Sequence, residues 1–306
     1  MDVEPYDILI PGHYFCDIIF SGIPGFPTLG TELFTKDLTV IPGGIMNTVG
    51  ALARLNTRVG WLSTLGNDFF SQFTANTARA EGIDLSLMKF VDRPLKRVTV
   101  ALSYTDDRAF VTYVDPVPDL LPRVYEALET TPFRHLHFTG LHIVEQMPDL
   151  IQACHQRGIR VSMDCQHREQ TLDSPLVKSI VSGLDLFMPN VSEAQRLTGT
   201  TSLEAAAGIL RELVPHLIIK DGRNGVHAWV NGHYAHAPAI KIEPVVDTTG
   251  AGDVFNAGFL SAFLEGNAIE TCLQWGNIAG GLSLRGHGGY STSPTREELF
   301  TYLETS

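Results

Sequence analysis

The middle of the chain alternates between short apolar runs and helical patterns, and this alternation constrains the fold more than any other feature. Apolar runs at 135–139, 160–164 and 185–189 are separated by helical patterns around 149–157 and after Ser174. Strand-helix-strand units of this kind predict a parallel sheet whose helices cover both faces. We therefore expect a doubly wound, mostly parallel α/β fold.

The chain is long enough for one large core, since it has 306 residues of which 44% are hydrophobic. We expect a single α/β domain over residues 1–306. Two insertions, at about 13–41 and 94–115, lack the alternating pattern. The first is rich in Gly, Pro and Thr, and the second contains two β-rich runs, 97–104 and 109–114, that are typical of a hairpin. Together they predict a small β-sheet that lies over the substrate as a lid.

The charge balance favours small-molecule chemistry. The chain has 22 Lys and Arg against 34 Asp and Glu, a formal net charge of −12, so it offers no basic surface for a nucleic acid or an anionic membrane. No basic leader or long apolar run is present, and a cytoplasmic location is the default expectation. The cysteines are scattered without C-x-x-C pairs, which indicates reduced, mostly buried thiols: Cys16, Cys154, Cys165 and Cys272.

The chemistry is expected in the string from Asp247 to Asn256, Asp-Thr-Thr-Gly-Ala-Gly-Asp-Val-Phe-Asn. A strand-like run, 243–246, precedes it, and a helical pattern follows it. The backbone N–H groups of Gly250, Ala251 and Gly252 then form an anion hole at a helix N-terminus, suited to a phosphate gaining charge. Asp253 beside that hole can accept a proton from an attacking hydroxyl. The alternative is that Asp253 only caps the helix.

This string is similar to the signature of the ribokinase-like (PfkB) carbohydrate kinases, and the resemblance extends over nearly the whole chain. It implies an ATP-dependent transfer of the γ-phosphoryl group to a hydroxyl, with Asp253 as the base. It also implies a β-sheet lid that often forms a homodimer interface. Members of the family often bind K⁺ near the first Asp and second Thr of the signature, which here are Asp247 and Thr249.

The resemblance places the sugar acceptor upstream. A Gly-Gly-x-x-x-Asn string, the family's first signature, occurs here as Gly43, Gly44 and Asn47, and Asp17 follows the first strand. Carboxylate, amide and bare backbone can together recognise vicinal hydroxyls. Arg168 completes the set in a stretch where relatives carry Asp-x-Asn-x-Arg. In this chain Gln166 replaces the Asn, which puts its usual polar contact in doubt.

The nucleotide side follows from the same resemblance. An Asn-x-x-Glu pair, Asn190 and Glu193, is expected to position Mg²⁺ near the phosphates, with Glu193 acting through water. A capping role for this pair is also plausible. The resemblance assigns four further residues to ATP. Lys220, Gly222 and Gly225 lie at the end of the apolar run 216–221 and in the turn that follows it, and Asn277 lies on a later helix.

Two alternatives stay open at this stage. A nucleoside kinase of the same family would need an apolar or aromatic surface against which the base of the nucleoside packs, and Phe15, Phe20 or Phe26 could supply it. A non-catalytic sugar or nucleotide sensor belongs to a different class. The chain has no G-x-x-x-x-G-K-[ST] loop and no G-x-G-x-x-G turn, which argues against a Walker-type or dinucleotide enzyme. Arg108, at the hairpin tip, is interpreted as a solvated charge.

Overall fold

The computed structural model describes residues 4–104, 108–117, 120–166 and 169–305. Its strands, numbered in chain order, are β1 Ile8–Pro11, β2 Tyr14–Ser21, β3 Asp37–Gly44, β4 Val59–Leu65, β5 Met88–Phe90, β6 Arg97–Ser103, β7 Arg108–Val114, β8 His135–Phe138, β9 Arg160–Met163, β10 Leu186–Phe187, β11 His216–Lys220, β12 Val226–Val230 and β13 His233–Ala237.

Its helices are α1 Met46–Arg54, α2 Phe69–Ala80, α3 Leu120–Thr130, α4 Leu141–Val144, α5 Leu150–His155, α6 Pro175–Gly183, α7 Val191–Thr198, α8 Leu203–Leu210, α9 Ala251–Leu264, α10 Ile269–Ser283 and α11 Arg296–Thr305. Among the described residues, no helix is both long and apolar enough to cross a bilayer.

Nine strands form a large sheet in the order β13-β12-β11-β10-β9-β8-β1-β4-β5. From β11 to β5 all neighbours are parallel, and only the β11–β12 and β12–β13 pairs are antiparallel. The strand order extends outward from the centre in both directions, as in other doubly wound sheets. The predicted fold class is therefore confirmed.

Both faces of the central parallel strands are buried, which explains why β1, β4 and β10 are mostly apolar runs without alternation, whereas the edge strand β13 is largely exposed. Successive residues of β1 enter different clusters: Ile8 and Ile10 pack with α1, α2, α9, α10 and α11, while Leu9 packs with α3 to α8. The helices thus form one layer on each side of the sheet.

A separate sheet has the strand order β3-β2-β6-β7. β2 pairs antiparallel with β3 and parallel with β6, and β6 pairs antiparallel with β7 as a hairpin. β7 lies at the edge, and its residues from Phe110 to Val114 are exposed. Because β2 and β3 flank the start of α1, this smaller sheet is anchored next to the carboxyl-terminal edge of β1.

Two local predictions were wrong. Residues 243–246 form no strand: Pro244 has no N–H to donate to a ladder, and the Val246 N–H bonds to Leu284 O at 2.8 Å instead. Phe69, whose spacing suggests a core position, is 69% exposed, and the buried face of α2 consists of small residues such as Ala75 and Ala78.

Packing between α9 and α10 leaves no room for a side chain at Gly258. A Cβ there would lie 2.6 Å from Trp275 O and 2.8 Å from the Ala279 Cβ. We predict that Gly258→Ala lowers the free energy of unfolding by about 1–3 kcal/mol, as overpacking does, measured by urea denaturation.

The matched control is Gly208→Ala in α8, where a Cβ would meet no atom within 4 Å. This variant should be unchanged or more stable by up to about 1 kcal/mol, because alanine favours the helix over glycine. Equal stability of the two variants would contradict the close α9–α10 contact.

Candidate active site

Polar side chains gather at the carboxyl-terminal edge of the large sheet, where open α/β sheets bind their ligands. Asp164 directly follows β9, Asn190 follows β10, and Lys220 ends β11. The first turn of α9 lies against them, because the Lys220 Nζ is 3.2 Å from the Asn256 Oδ1. Three neighbouring strands and one helix N-terminus thus converge on one place.

The glycine turn before α9 has the conformation that an anion hole needs. Gly250 is the N-cap of α9, with φ +74° in the left-handed region. A Cβ at Gly250 would lie 2.6 Å from the Asn47 Nδ2, so no side chain fits. The first intrahelical bond runs from Val254 N to Gly250 O at 2.9 Å, and the Ala251 N–H makes only a long 3.4 Å bond to Thr248 O. The N–H groups of Gly252 and Asp253 come before that first helical bond, so the helix itself does not use them as donors. They lie at the positive end of the helix dipole.

Asp253 lies in that first turn with a strongly altered acidity. Burial and the nearby Asp164 carboxylate raise the pKa of Asp253 to about 7, against the opposing effect of Lys220. Hydrogen bonding to Asn47 lowers the pKa, and Glu193 raises it. A carboxylate whose pKa lies near neutrality suits proton abstraction at physiological pH.

A buried hydrogen-bonded group connects Asp253 to the sheet. Asp164 Oδ2 accepts from the Lys220 Nζ at 2.7 Å and from the Asn256 Nδ2 at 2.6 Å. Burial by itself lowers the pKa of Lys220, but Asp164, Glu193 and Asp253 together raise it above its ordinary value. Lys220 is therefore a fixed positive charge beside the glycine turn, and a Cβ on Gly252 would lie 3.6 Å from its Nζ.

The residues assigned to the acceptor come together on the other side of Asp253. A Cβ on Gly43 would lie 1.8 Å from the Asp17 Oδ2, so the Asp17 carboxylate fills the space above this glycine. Gly44, at φ +59°, lies against Phe15. Asn47 accepts from the Tyr290 N–H at 3.4 Å through its Oδ1, which leaves its amide N–H₂ toward Gly250 and Asp253.

Asp17 also has an altered acidity. Burial and the neighbouring Asp247 carboxylate raise the pKa of Asp17 to about 6. Asp17 therefore lies near the start of the glycine-turn string as well as next to Gly43. The acceptor residues and the string form one continuous polar surface.

Arg108 is not a solvated charge, contrary to the expectation from its position in the hairpin. Its Nη1 donates to the Asp247 Oδ1 at 2.7 Å and also to the Thr249 Oγ1, and its Nη2 donates to the Thr248 Oγ1. The Arg108 side chain is 27% exposed, and that of Asp247 9%. The smaller sheet thus contacts the signature string through a charged pair.

Asn190 and Glu193 form a capping box at the start of α7. The Asn190 Oδ1 accepts from the Glu193 N–H at 2.9 Å, and the Glu193 Oε2 accepts from the Asn190 N–H at 2.8 Å. Burial and Asp164 raise the pKa of Glu193, whereas Lys220 lowers it. The box fixes the Glu193 carboxylate close to Asp164 and Lys220.

The other residues assigned to the nucleotide have different structural roles. Gly222, at φ +52°, faces open space, and a Cβ on it would meet no atom within 4 Å. At Gly225 a Cβ would lie 2.1 Å from Ala237 O, so the hairpin itself requires this glycine. The Asn277 amide donates to Ala237 O at 3.1 Å and Pro238 O at 2.9 Å, which ties α10 to the segment after β13.

Arg168 lies outside the described residues, and its predicted contact stays a prediction. Gln166 adopts a left-handed conformation at φ +57°, with its side chain against Gly140. Asn256 was not assigned a role from the sequence, although it lies one helical turn after Asp253 and on the same face of α9. That spacing is the signal by which it could have been found.

Comparisons with known proteins identify the family of the chain. Residues 32–296 match the family described as pfkB family carbohydrate kinase. The 2-dehydro-3-deoxygluconokinase of Bacillus subtilis is 27% identical over 286 residues, covering 88% of this chain and 87% of the relative.

Two solved structures share the fold. Arabidopsis thaliana ribokinase complexed with ribose and ATP has a TM-score of 0.80 at 23% identity, covering 99% of this chain and 100% of that one. A putative ribokinase II from E. coli in complex with ATP and Mg²⁺ has a TM-score of 0.82 at 22% identity, covering 98% and 100%. The chain belongs to the pfkB family of carbohydrate kinases and is a phosphotransferase with an alcohol group as acceptor.

Proposed function

We propose that this protein transfers the γ-phosphoryl group of ATP to a hydroxyl of a small carbohydrate, with Asp253 as the general base. The observation that carries the proposal is a carboxylate with a pKa of about 7 in the first turn of α9, next to a left-handed glycine turn. Base and anion hole in one helical turn are what in-line phosphoryl transfer requires.

Asp253 takes the proton as the acceptor oxygen attacks the γ-phosphorus and the bond to the β-phosphate oxygen breaks. The N–H groups of the turn from Gly250 to Gly252 stabilise the charge on the transferring group. Lys220 contributes a fixed positive charge 3.6 Å from the position of a Cβ on Gly252. After transfer, Asp253 releases the proton to solvent and returns to its charged form.

The acceptor is held by Asp17, Gly43, Gly44 and Asn47. The Asp17 carboxylate can accept from two neighbouring hydroxyls, and the Asn47 amide can donate to the attacking oxygen beside Asp253. The smaller sheet covers this surface as a lid and keeps water from taking the phosphoryl group. Arg168, which lies outside the described residues, is proposed to contact the far end of the acceptor or the phosphates.

ATP is assigned to the side of Asn190, Lys220, Gly222, Gly225 and Asn277. Gly222 leaves open space for the nucleotide, whereas Gly225 supports the turn indirectly. The Asn277 donors are engaged by Ala237 and Pro238, so its carbonyl oxygen is the group left to accept a hydrogen bond from adenine.

The residues present fit a Mg²⁺ ion bound mainly through phosphate and water. Among the described residues, no group of three or more His, Cys, Asp or Glu side chains is placed to hold a metal. The Glu193 Oε1 is the carboxylate oxygen left outside the capping box, and it lies in a region with excess negative charge from Asp164 and Asp253. When bound, Mg²⁺ neutralises charge on the ATP phosphates.

A nucleoside acceptor is the second candidate within the family. Of the three phenylalanines that could supply a floor for a base, Phe15 is covered by the Arg97 guanidinium, 5.8 Å from its ring centroid. Phe26 is 75% exposed and stacks on Tyr104 at 6.3 Å. Phe26 therefore provides no enclosed floor for a base, and a charged group lies over the ring of Phe15, which favours a polyol acceptor. A non-catalytic sensor is disfavoured because it would not need a base of pKa near 7.

The function is tested by ATP turnover with Mg²⁺ across neutral sugars, sugar acids, sugar phosphates and nucleosides. We expect phosphorylation of a sugar or sugar acid with kcat/KM at least about tenfold above that of any nucleoside, the scale of one or two lost hydrogen bonds. Turnover of nucleosides alone would transfer the assignment to the second candidate. Ligand binding without turnover of any acceptor would indicate the sensor.

Asp253→Asn should lower kcat by about a hundredfold or more while ATP binding is kept, because general-base catalysis is lost. In the parent enzyme kcat/KM should fall as the pH drops below about 7, where Asp253 becomes protonated. The matched control is Glu270→Gln, an acidic residue in the first turn of α10, whose kcat should stay within about twofold, as surface substitutions usually do.

The same variant has a predicted effect on stability. The pKa of Asp253 is raised by folding, so the folded state binds a proton more tightly and stability falls as the pH rises from about 4 to about 7. Asp253→Asn removes this penalty and should be more stable than the parent at pH 8, by about 4 kcal/mol, since each pKa unit corresponds to about 1.4 kcal/mol, with the difference vanishing near pH 4. A lower stability of Asp253→Asn at pH 8 would contradict the raised pKa.

We also propose that the protein forms a homodimer through the smaller sheet. β7 is an edge strand with large exposed side chains, including Phe110 at 56% and Val111 at 65% exposure. An open apolar edge of this kind is usually covered by another chain.

Sedimentation should therefore give a dimer at micromolar concentration for the parent and a monomer for Val111→Glu. The control is Ile209→Glu, which places the same charge at a 41% exposed position on α8 and should stay dimeric. A monomeric parent protein would overturn the proposal.

A further inference from the structure

The guanidinium of Arg108 occupies the side-chain oxygens to which the family resemblance assigns a monovalent cation. It reaches across 139 residues of sequence to the Asp247 Oδ1, at 2.7 Å, and it also donates to the Thr248 and Thr249 hydroxyls. The contact is substantially buried, since Asp247 is 9% and Arg108 27% exposed. A unit positive charge is therefore already present at this position.

Hydrogen donors already occupy most of the acceptor positions on these side-chain oxygens. The Asp247 Oδ1 accepts from the Thr249 N–H at 2.9 Å, from the Thr249 hydroxyl at 2.8 Å and from Arg108. The Asp247 Oδ2 accepts from the Gly288 N–H at 3.2 Å. Hard monovalent cations require several oxygens that are not already bonded to hydrogen donors. The residues Asp247 and Thr249 thus do not fit the predicted ion.

We propose that Arg108 is a positioning residue that takes the place of the monovalent cation and makes turnover independent of K⁺. Its planar guanidinium group donates hydrogen bonds to Asp247, Thr248 and Thr249 at once, which fixes the backbone immediately before Gly250. The glycine turn keeps the geometry in which its N–H groups stabilise the transferring phosphoryl group. This inference rests on the proposed kinase function.

Because Arg108 belongs to β7, its positive charge moves with the smaller sheet. An inorganic cation binds from solvent at any lid position, whereas the guanidinium is carried by the smaller sheet. The charge is therefore complete at the glycine turn only when the sheet lies against the string. Asp17, whose pKa is raised by burial and by Asp247, borders the same position.

The experiment compares the parent, Arg108→Gln, Arg108→Lys and the control Lys96→Gln in KCl, NaCl and choline chloride at equal ionic strength. Lys96 precedes β6 of the same sheet, and its ammonium lies 5.9 Å from the centroid of the exposed Tyr113 ring and near Asp115. Two quantities are measured: kcat with ATP and Mg²⁺, and the thermal midpoint of unfolding of the protein without substrates.

We expect the parent and Lys96→Gln to show the same kcat and the same midpoint in all three salts. Arg108→Gln should lose about tenfold or more in kcat in choline chloride, since misplacing a stabilising group has effects of this order. With the guanidinium gone, the freed oxygens should accept K⁺, so that KCl raises both kcat and the midpoint of this variant selectively. Arg108→Lys keeps the positive charge but lacks the planar guanidinium group. Its kcat should be independent of K⁺ and lie between those of the parent and Arg108→Gln.

Two results would overturn the proposal. One is activation of the parent by K⁺ together with a K⁺-specific rise in its midpoint. The other is an Arg108→Gln variant with unchanged kcat and a raised KM for acidic acceptors only, which would make Arg108 a substrate contact. The midpoint needs no turnover, so a protein inactive toward every acceptor would refute the kinase function while the salt dependence of unfolding still decides the role of Arg108.

Discussion

The site depends on one buried lysine that is surrounded by more negative charge than it can balance. Asp164, Glu193 and Asp253 all act on Lys220, and Asp164 binds it directly at 2.7 Å. Carboxylates withdrawn from water need such a partner, and three cannot all be satisfied by a single ammonium. Asp164 is fixed by Lys220 and Asn256, so Asp253 has no full counter-charge, and burial together with the neighbouring Asp164 raises the pKa of Asp253 to about 7. Burial and this charge imbalance give Asp253 the acidity that the proposed base needs at neutral pH.

The strand order explains why these groups meet although they are distant in sequence. β9, β10 and β11 are adjacent and parallel, so the residues that follow them lie side by side at one edge, at strand spacings of about 5 Å. The antiparallel hairpin β12–β13 then reverses the chain, and the segment after it leads to the N-terminus of α9. The Asn277 amide holds that segment against α10. A helix dipole is thereby directed at the same edge from the opposite side.

Local pattern was sufficient for the fold class and for the glycine turn, because strand-helix alternation and a left-handed N-cap are properties of short stretches of chain. It failed where a distant partner decides the outcome. Arg108 was interpreted as solvated since hairpin charges usually are, yet its partner Asp247 is 139 residues away. Residues 243–246 have β-prone side chains but no neighbouring strand to pair with. Gly225, assigned to the nucleotide, is required by the close approach of Ala237 O, a constraint that only the paired hairpin reveals.

In the proposed mechanism the smaller sheet is a lid that carries its own cation, which changes the electrostatics of closure. Asp17 on β2 and Arg108 on β7 belong to this sheet, so both would leave Asp247 together if the sheet moved away from the string. With Arg108 in place, hydrogen bonds from Thr249 and Gly288 and the guanidinium hold the pKa of Asp247 below its ordinary value, against the effect of burial. Closure of the proposed lid would therefore be favoured by the same charge that is proposed to order the glycine turn. In the proposed mechanism, exclusion of water and completion of the anion hole become a single event, so that the phosphoryl group is activated only when the acceptor is covered.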